Sequence, residues 1–439
     1  MNYLQAEKFI LSLQKQKRPE YMQDAKHCDL YLKRLQCFLD LIGNPEKKIP
    51  HYIHVTGTSG KGSVCLIISS ILKFSGKKTG TLTSPSPDTL QSRMEINGTK
   101  ISKNDFTKII VRDIKPALKK YAQVYSTDYP SFYEIITAVA LKYFADKKVS
   151  YAVLEVGCGG RYDATNIIPQ KDLALITNIG LDHTEILGNT KIKIAKEKIG
   201  IVKPHSVLFT TEENSQILNM MTKYCHHIKS KINILDTTTA IKKQSTNKNE
   251  FYYQKQKYTL PAMGDHQIKN AILAIASAKY LKIPQKYILA GIKNVKLPMR
   301  FEIISKKPLI ILDSAHNPDK INSTVKTLQT YLLKHNLKST NLVVAFTVGK
   351  DIQKMIVILS ILKPTTIAIT KYKKNNLRQA ENPQIIKKLF AKILPQTTIK
   401  TFLNSKQALV WAKKQTPNKN VILITGSNYL AGEIKRAID

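Results

Sequence analysis

One run of ten residues holds most of the chemistry: His54-Val55-Thr56-Gly57-Thr58-Ser59-Gly60-Lys61-Gly62-Ser63. Apolar Tyr52 to Val55 reads as a short buried strand and Val64 to Phe74 as an amphipathic helix, so Gly57, Gly60 and Gly62 fall in a strand-to-helix turn. A phosphate belongs in such a turn. Glycines let backbone N–H groups face an anion, the helix points its positive end the same way, and Lys61 supplies a point charge for the β- and γ-phosphates. The candidate nucleotide-binding residues here are Gly57, Thr58, Ser59, Gly60, Lys61, Gly62 and Ser63. The loop is not the general Walker pattern, because two residues separate Gly57 from Gly60 and a glycine stands between Lys61 and Ser63. A tight turn with glycines for packing alone is the plain alternative; the lysine, the hydroxyl and the flanking elements together favour the nucleotide.

A second set of side chains falls at strand ends. Lys78 to Thr83 reads as a strand running into the loop Ser84-Pro85-Ser86-Pro87, Tyr151 to Val156 as a third strand stopped by Gly157-Cys158-Gly159-Gly160, and Leu173 to Asn178 as a fourth. Ser84, Glu155 and His183 then follow or close three strands beside the phosphate loop. A hard divalent cation takes oxygen ligands and keeps several waters, so one hydroxyl, one carboxylate and nucleotide phosphates make a shell for magnesium; a histidine points to a second ion. Taken singly, Glu155 reads equally well as a satisfied buried carboxylate and His183 as a core histidine. Their shared position at strand ends shifts the balance, since ligands of parallel sheets bind beyond the carboxyl ends of the strands.

The elements that must position these groups alternate. Helical spacing over residues 3 to 16 and 29 to 42 puts two helices before the phosphate strand, and helices follow at about 104 to 121 and 131 to 146. From Ser206 to Leu260 the pattern turns shorter and more polar, with β segments at Ser206 to Thr211, Lys231 to Leu235 and Phe251 to Leu260. A long Ala-rich helix spans Gly264 to Leu281, another covers Lys286 to Asn294, and Leu297-Pro298-Met299-Arg300 interrupts. A new alternation begins at strand Leu309 to Leu312 and runs to the C-terminus. The expected fold is α/β: a P-loop domain with a doubly wound, mostly parallel sheet over residues 1–296, a linker near 295–300, and a smaller Rossmann-like α/β domain over 300–439.

With 439 residues and 43% hydrophobic residues the chain can build two cores. No apolar run is long enough to span a bilayer, the N-terminus lacks the form of a secretory signal, and the five cysteines form no CxxC pair or disulfide framework, so a cytoplasmic protein is expected. Cys225-His226-His227 has no second ligand cluster and reads as a helix end rather than a zinc site. Lys+Arg 69 against Asp+Glu 31 leaves a net charge of +38, which favours polyanions, but the lysines are spread over the whole length as solvated faces and give no clustered basic-aromatic stretch for nucleic acid. Such a field steers anionic substrates to an open cleft.

At this point the sequence resembles the folylpolyglutamate synthase / dihydrofolate synthase family of Mur ligases. The segments that carry the resemblance are the phosphate loop, Thr83-Ser84-Pro85, Glu155 through Asn166, Asp182-His183-Thr184, Glu197 through Lys203, Gly264-Asp265-His266-Gln267-Ile268-Lys269-Asn270-Ala271, and Asp313-Ser314-Ala315-His316-Asn317-Pro318. The resemblance implies a ligase that uses ATP to turn a carboxylate of dihydropteroate or a reduced folate into an acyl phosphate, which L-glutamate attacks. It implies that Ser84 and Glu155 hold one Mg2+ and His183 helps hold a second, and that Lys198 is a carbamylated lysine. It further implies that Gln267 and Asn270 lie near the base, that Arg300, Asp313 and His316 reach the ATP from beyond the linker, and that Arg161 and Asp163 meet the pterin. Lys61, Lys198 and His183 are the expected catalytic residues, in a protein working as a monomer. Phosphoryl transfer asks for charge neutralisation more than for covalent help, which suits this set.

This chain departs from the family pattern at Ser59 for asparagine, Ser86 for histidine, Ser92 for glutamate, Met299 for the glycine before the linker arginine, and Ser314 for glycine. The changes after Ser84 bear on the choice of folate. Two rivals stand beside this reading: a Mur-type ligase adding an amino acid to a non-folate carboxylate, and a basic P-loop protein that binds nucleic acid.

Overall fold

The computed structural model describes residues 1–15, 28–84, 89–125, 128–243, 248–373, 379–416 and 420–438. The last residue expected in the first helix, the end of the Ser84-Pro85-Ser86-Pro87 loop and the Ser86 departure lie outside them.

Phosphate strand His51–Thr56 is buried on both faces from Tyr52 onward, as a central strand of a parallel sheet must be. It lies between Tyr151–Glu155 and Leu173–Ile176, parallel to both. The sheet continues on one side through Val207–Thr210 to Lys231–Ile234, and on the other through Thr79–Leu82, all parallel. Two short antiparallel strands, Met94–Ile96 and Thr99–Lys100, complete its eight. Helices cover both faces. Helix Lys61–Phe74 packs with Asp265–Tyr280 and Gln285–Asn294 in one apolar cluster, while Phe132–Asp146 packs with the N-terminal helices on the other side.

From Glu302 onward a second, six-stranded sheet runs in the order Glu302–Lys306, Leu309–Leu312, Asn420–Thr425, Ser339–Val344, Thr366–Ile369, Thr398–Thr401, parallel except for its first strand. The α/β class and the mostly parallel first sheet agree with the expectation.

Three details correct it. Phe251 to Leu260 is not one β segment but the hairpin Asn249–Tyr253 and Gln256–Leu260, closed by Gln254 and Lys255 with φ of 50° and 63°. Turn residues of that shape are usually Asn or Gly, so Gln-Lys concealed the reversal. Strand Glu302–Lys306, which precedes the expected start of the second alternation, was hidden because its residues are half-buried with no buried-and-exposed alternation. The Met94–Ile96 and Thr99–Lys100 pair did carry a readable signal, Asn97-Gly98, with both residues left-handed.

Candidate active site

Gly57 and Gly60 shape the phosphate loop for different reasons. Gly57 has φ +143°, and a Cβ there would lie 1.8 Å from Thr177 Oγ1. Gly60 caps helix Lys61–Phe74 with φ +86°, and a Cβ there would lie 2.3 Å from Asn270 Oδ1. The loop is fastened to the neighbouring strand end: Thr58 N–H donates to the Asn178 carbonyl at 2.8 Å, Ser59 N–H to Asn178 Oδ1 at 3.0 Å, and Thr177 Oγ1 to the Ser59 carbonyl at 2.6 Å. The Ser59 hydroxyl, in the place of the family's asparagine, is buried without a hydrogen-bond partner. Ser63 is buried on the first helical turn.

Lys61 Nζ donates to the Gly57 carbonyl at 2.8 Å, and Lys198 Nζ reaches the same oxygen at 3.1 Å. Two ammonium groups on one carbonyl repel each other. Lys198 is 4% exposed, and burial together with the nearby Lys61 charge brings its pKa down to about 7.

Glu155 ends its strand beside the first turn of the phosphate-loop helix. Its Oε2 accepts the Ser84 N–H at 2.9 Å and would lie 3.2 Å from a Cβ on Gly62. Arg300 Nη2 stands 3.7 Å from the same point, so the linker arginine comes over the loop. Arg300 also bonds the hydroxyl of Ser314, one of the departures. Burial raises the pKa of Glu155, opposed by the charges of Lys61, Arg300 and Lys320 and by the Ser84 N–H.

Among the described residues no three His, Cys, Asp or Glu side chains converge as a metal cage. Glu155 and Ser84 nevertheless suit a hard cation that takes its remaining oxygens from phosphates and water. His183 suits a ligand too: its buried Nδ1 has no hydrogen-bond partner, with only Glu185 at 3.9 Å, and burial brings its pKa down to about 4, leaving the neutral imidazole a metal requires. It sits at φ +52° at the start of Thr184–Leu187.

From the other side, Asp313 is buried with both carboxylate oxygens engaged: Oδ2 by Phe301 N–H at 2.8 Å, Oδ1 by Ala315 N–H and Thr324 Oγ1 at 2.9 Å each. Its structural work is to pin the backbone next to Arg300. That backbone is left-handed at Met299 and Phe301, φ 56° and 51°, which accounts for a glycine suiting the Met299 position. His316 places Nδ1 2.9 Å from the Ser314 carbonyl and Nε2 3.1 Å from Lys320 Nζ. The carbonyl fixes the proton on Nδ1, so Nε2 accepts from the amine. Gln267 and Asn270 are buried and joined at 3.0 Å, with Asn270 against Gly60.

The two residues expected at the pterin also have partners within the chain. Asp163 accepts Gly157 and Cys158 N–H at 3.0 Å on one oxygen and the Thr165 N–H and hydroxyl, at 3.0 and 2.5 Å, on the other; it organises the loop after Glu155. Arg161 Nη2 donates to the Lys196 carbonyl at 3.3 Å, with its guanidinium 5.9 Å from the Tyr224 ring.

Sequence reasoning missed Asp182, Lys350 and Lys320. Asp182 accepts from Lys350 Nζ at 2.9 Å and from Asn317 Nδ2 at 3.1 Å, bridging the two sheets' bodies. Its pKa falls well below the carboxylate range: burial acts to raise it, but the charges of His183, Lys350 and Lys320 prevail. Lys320 lies one helical turn after His316, a spacing that would have found it once His316 was chosen.

A phosphate loop flanked by a carboxylate, with a second α/β body reaching over both, defines an enzyme that activates its substrate with ATP. Residues 55–278 match the family model described as the Mur ligase middle domain, and residues 296–437 that of the dihydrofolate synthetase C-terminal domain. The chain is 31% identical over 430 residues to the dihydrofolate synthase/folylpolyglutamate synthase of Bacillus subtilis, covering 93% of this chain and 94% of the other. It is 30% identical to the dihydrofolate synthetase of Saccharomyces cerevisiae, covering 93% and 97%. The solved folylpolyglutamate synthase of Mycobacterium tuberculosis, complexed with ADP and AMPPCP, superimposes with a TM-score of 0.87 at 25% identity, covering 100% of this chain and 99% of that one. The chain belongs to the folylpolyglutamate synthase / dihydrofolate synthase family of Mur ligases.

Proposed function

We propose that this chain is an ATP-dependent ligase that joins the amine of L-glutamate to the carboxylate of dihydropteroate or to the γ-carboxylate of a reduced folate. The observation that carries the reading is the meeting of three groups at one turn: Lys61 on the phosphate loop, Glu155 3.2 Å and Arg300 3.7 Å from the same point on Gly62. Positive groups from both sides of the linker face the place where a triphosphate's charge would lie.

In the first step a carboxylate oxygen of the pterin substrate attacks the γ-phosphorus. A P–O bond forms, the bond to the β,γ-bridging oxygen breaks, and ADP leaves with the electron pair. Lys61 and Arg300 are placed to balance the charge on the transferring group, and the bodies closing across the linker keep water from the acyl phosphate. The glutamate nitrogen then attacks the acyl carbon; the C–N bond forms, the C–O bond to phosphate breaks, and the amine gives up a proton. Magnesium, when bound, neutralises phosphate charge; Glu155 and Ser84 would hold one ion and His183 would help hold a second. Gln267 and Asn270 shape the wall behind Gly60, toward the base. In this reading residues 1–296 bind ATP and the pterin, and 300–439 serve glutamate.

Lys198 as a carbamate belongs to the same reading. Its nitrogen, half neutral near pH 7, attacks carbon dioxide; the N–C bond forms, a C=O electron pair moves to oxygen, and the nitrogen proton goes to solvent. The product exchanges a cation beside Lys61 for an anion. A carbon-13 carbamate signal on incubation with labelled bicarbonate, absent from Lys198→Met, checks this; its absence from the wild type removes the modification.

We also read the enzyme as a cytoplasmic monomer, which the mass by light scattering and fractionation of cells would test. Among the described residues no helix is long and apolar enough to cross a membrane. The functional test is incubation with magnesium, ATP, glutamate and either dihydropteroate or tetrahydrofolate. Products heavier by one or more glutamyl residues are expected, and no mass gain with either acid would refute the reading.

A further inference from the structure

The cleft between the two bodies gathers positive charge around the phosphate loop. Lys61, Arg300, Lys320 and Lys350 are all partly buried there. Asp182 is paired with Lys350, Asp313 is engaged by backbone N–H groups and a hydroxyl, Asp319 lies at Gly180, and Glu155 faces Lys61, Arg300 and Lys320. Like charges crowded away from water are costly unless an anion joins them.

Lys320 is the member of this set with no role assigned so far. It stands on the first turn of helix Pro318–Lys334, whose cap Asn317 accepts the Lys320 N–H at 3.0 Å and bonds Asp182 across the cleft. That turn presses against the phosphate-binding side: a Cβ on Gly180 would lie 2.5 Å from Asp319 Oδ2 and 3.3 Å from a methyl of Thr58. One N–H of the Lys320 amine is spent on His316 Nε2 at 3.1 Å, and the amine feels the charges of Lys61, Asp182, Arg300 and Glu155. Most lysines of this chain are solvated; this one is partly buried on the opposite wall, close enough to feel the charge of Lys61 on the phosphate loop.

We propose that Lys320 is a phosphoryl ligand, its ammonium meeting the γ-phosphate of ATP from the side opposite Lys61 and following that group onto the substrate carboxylate, with His316 holding the amine in place. This inference rests on the ligase reading and adds a residue to it. Burial and the charges of Lys61 and Arg300 bring the Lys320 pKa down to about 7 in the free protein; a polyanion between them would restore its proton.

The test compares two nucleotides that differ at the third phosphate. Calorimetry with magnesium and either ADP or AMPPCP is run on the wild type, Lys320→Met and Lys320→Arg, with folding checked by circular dichroism and thermal melting. The expected result is about a tenfold or greater loss of AMPPCP affinity in Lys320→Met, an ADP affinity within about twofold of the wild type, and substantial recovery in Lys320→Arg. Equal losses for both nucleotides, or no loss for either, would overturn the proposal. Failure of the ligase reading looks different, since the wild type itself would then form no glutamylated product.

Discussion

At the scale of single residues the site is built around clearances that only glycine satisfies. Gly60 and Gly76 have nearly the same φ, +86° and +81°, yet a Cβ on Gly60 meets Asn270 Oδ1 at 2.3 Å while one on Gly76 meets nothing within 4 Å. Alanine at either position forces a side chain into the left-handed region, at about 1–2 kcal/mol. Gly60→Ala adds displacement of Asn270 from the loop. Both variants are therefore expected to melt earlier, Gly60→Ala by more, but only Gly60→Ala should weaken ADP binding, by about tenfold or more. Calorimetry on the pair decides it: equal nucleotide affinities would show that the Gly60–Asn270 contact has no part in the site. The nucleotide loop was legible in the sequence because its chemistry is local, with glycine, lysine and hydroxyl inside one turn. Asp163 and Asp313 were not legible in the same way. Their motifs marked them, but only the fold shows their oxygens filled by backbone N–H groups and hydroxyls, so that each works on a loop or on the linker.

At the scale of elements, the phosphate strand is tied to the loop after Glu155 by a buried polar chain. Lys171 Nζ donates to Asn166 Oδ1 at 2.7 Å and to His54 Nδ1 at 3.0 Å; His54 Nε2 lies 2.7 Å from Thr165 Oγ1, which donates to Asp163 at 2.5 Å. His54 read as one letter of a motif, and its partners are more than a hundred residues away, which no local pattern reveals. Burial, then the charges of Lys171 and Lys203, hold the His54 pKa well below its ordinary 6.5. The unfolded chain therefore takes up a proton near pH 6.5 that the folded chain refuses. Stability is lost as pH falls below that value, and the loss continues until the folded histidine titrates. The slope from this one group is at most about 1.4 kcal/mol per pH unit. Glutamine at position 54 can still donate to Thr165 but cannot titrate. Urea denaturation between pH 7 and pH 5 should thus show a shallower acid loss in His54→Gln than in the wild type, even if the variant is less stable at pH 7. Parallel curves would exclude His54 as a source of the acid sensitivity.

At the scale of the molecule, the alternating pattern led to the expectation of two α/β bodies, but not of how they meet, because the meeting is made by side chains far apart in sequence. Asp182 is the centre of that contact, held by Lys350 at 2.9 Å and Asn317 at 3.1 Å, with all three largely out of water. Partly buried pairs of this kind gain little over two apolar groups but lose much when one charge is removed, since the other stays desolvated. Asp182→Asn keeps an acceptor for Asn317 and takes away the counter-charge of Lys350. The closed arrangement should then lose free energy while each body keeps its own core. About 1.4 kcal/mol would multiply the ratio of open to closed molecules about tenfold. Dyes placed on exposed positions of the two bodies would report this as a shift toward longer transfer distances without nucleotide, partly reversed by AMPPCP, which brings Lys61, Arg300 and Lys320 together on one anion. A variant whose distance distribution matched the wild type in both states would mean that packing along the linker, rather than the Asp182 pair, holds the cleft closed.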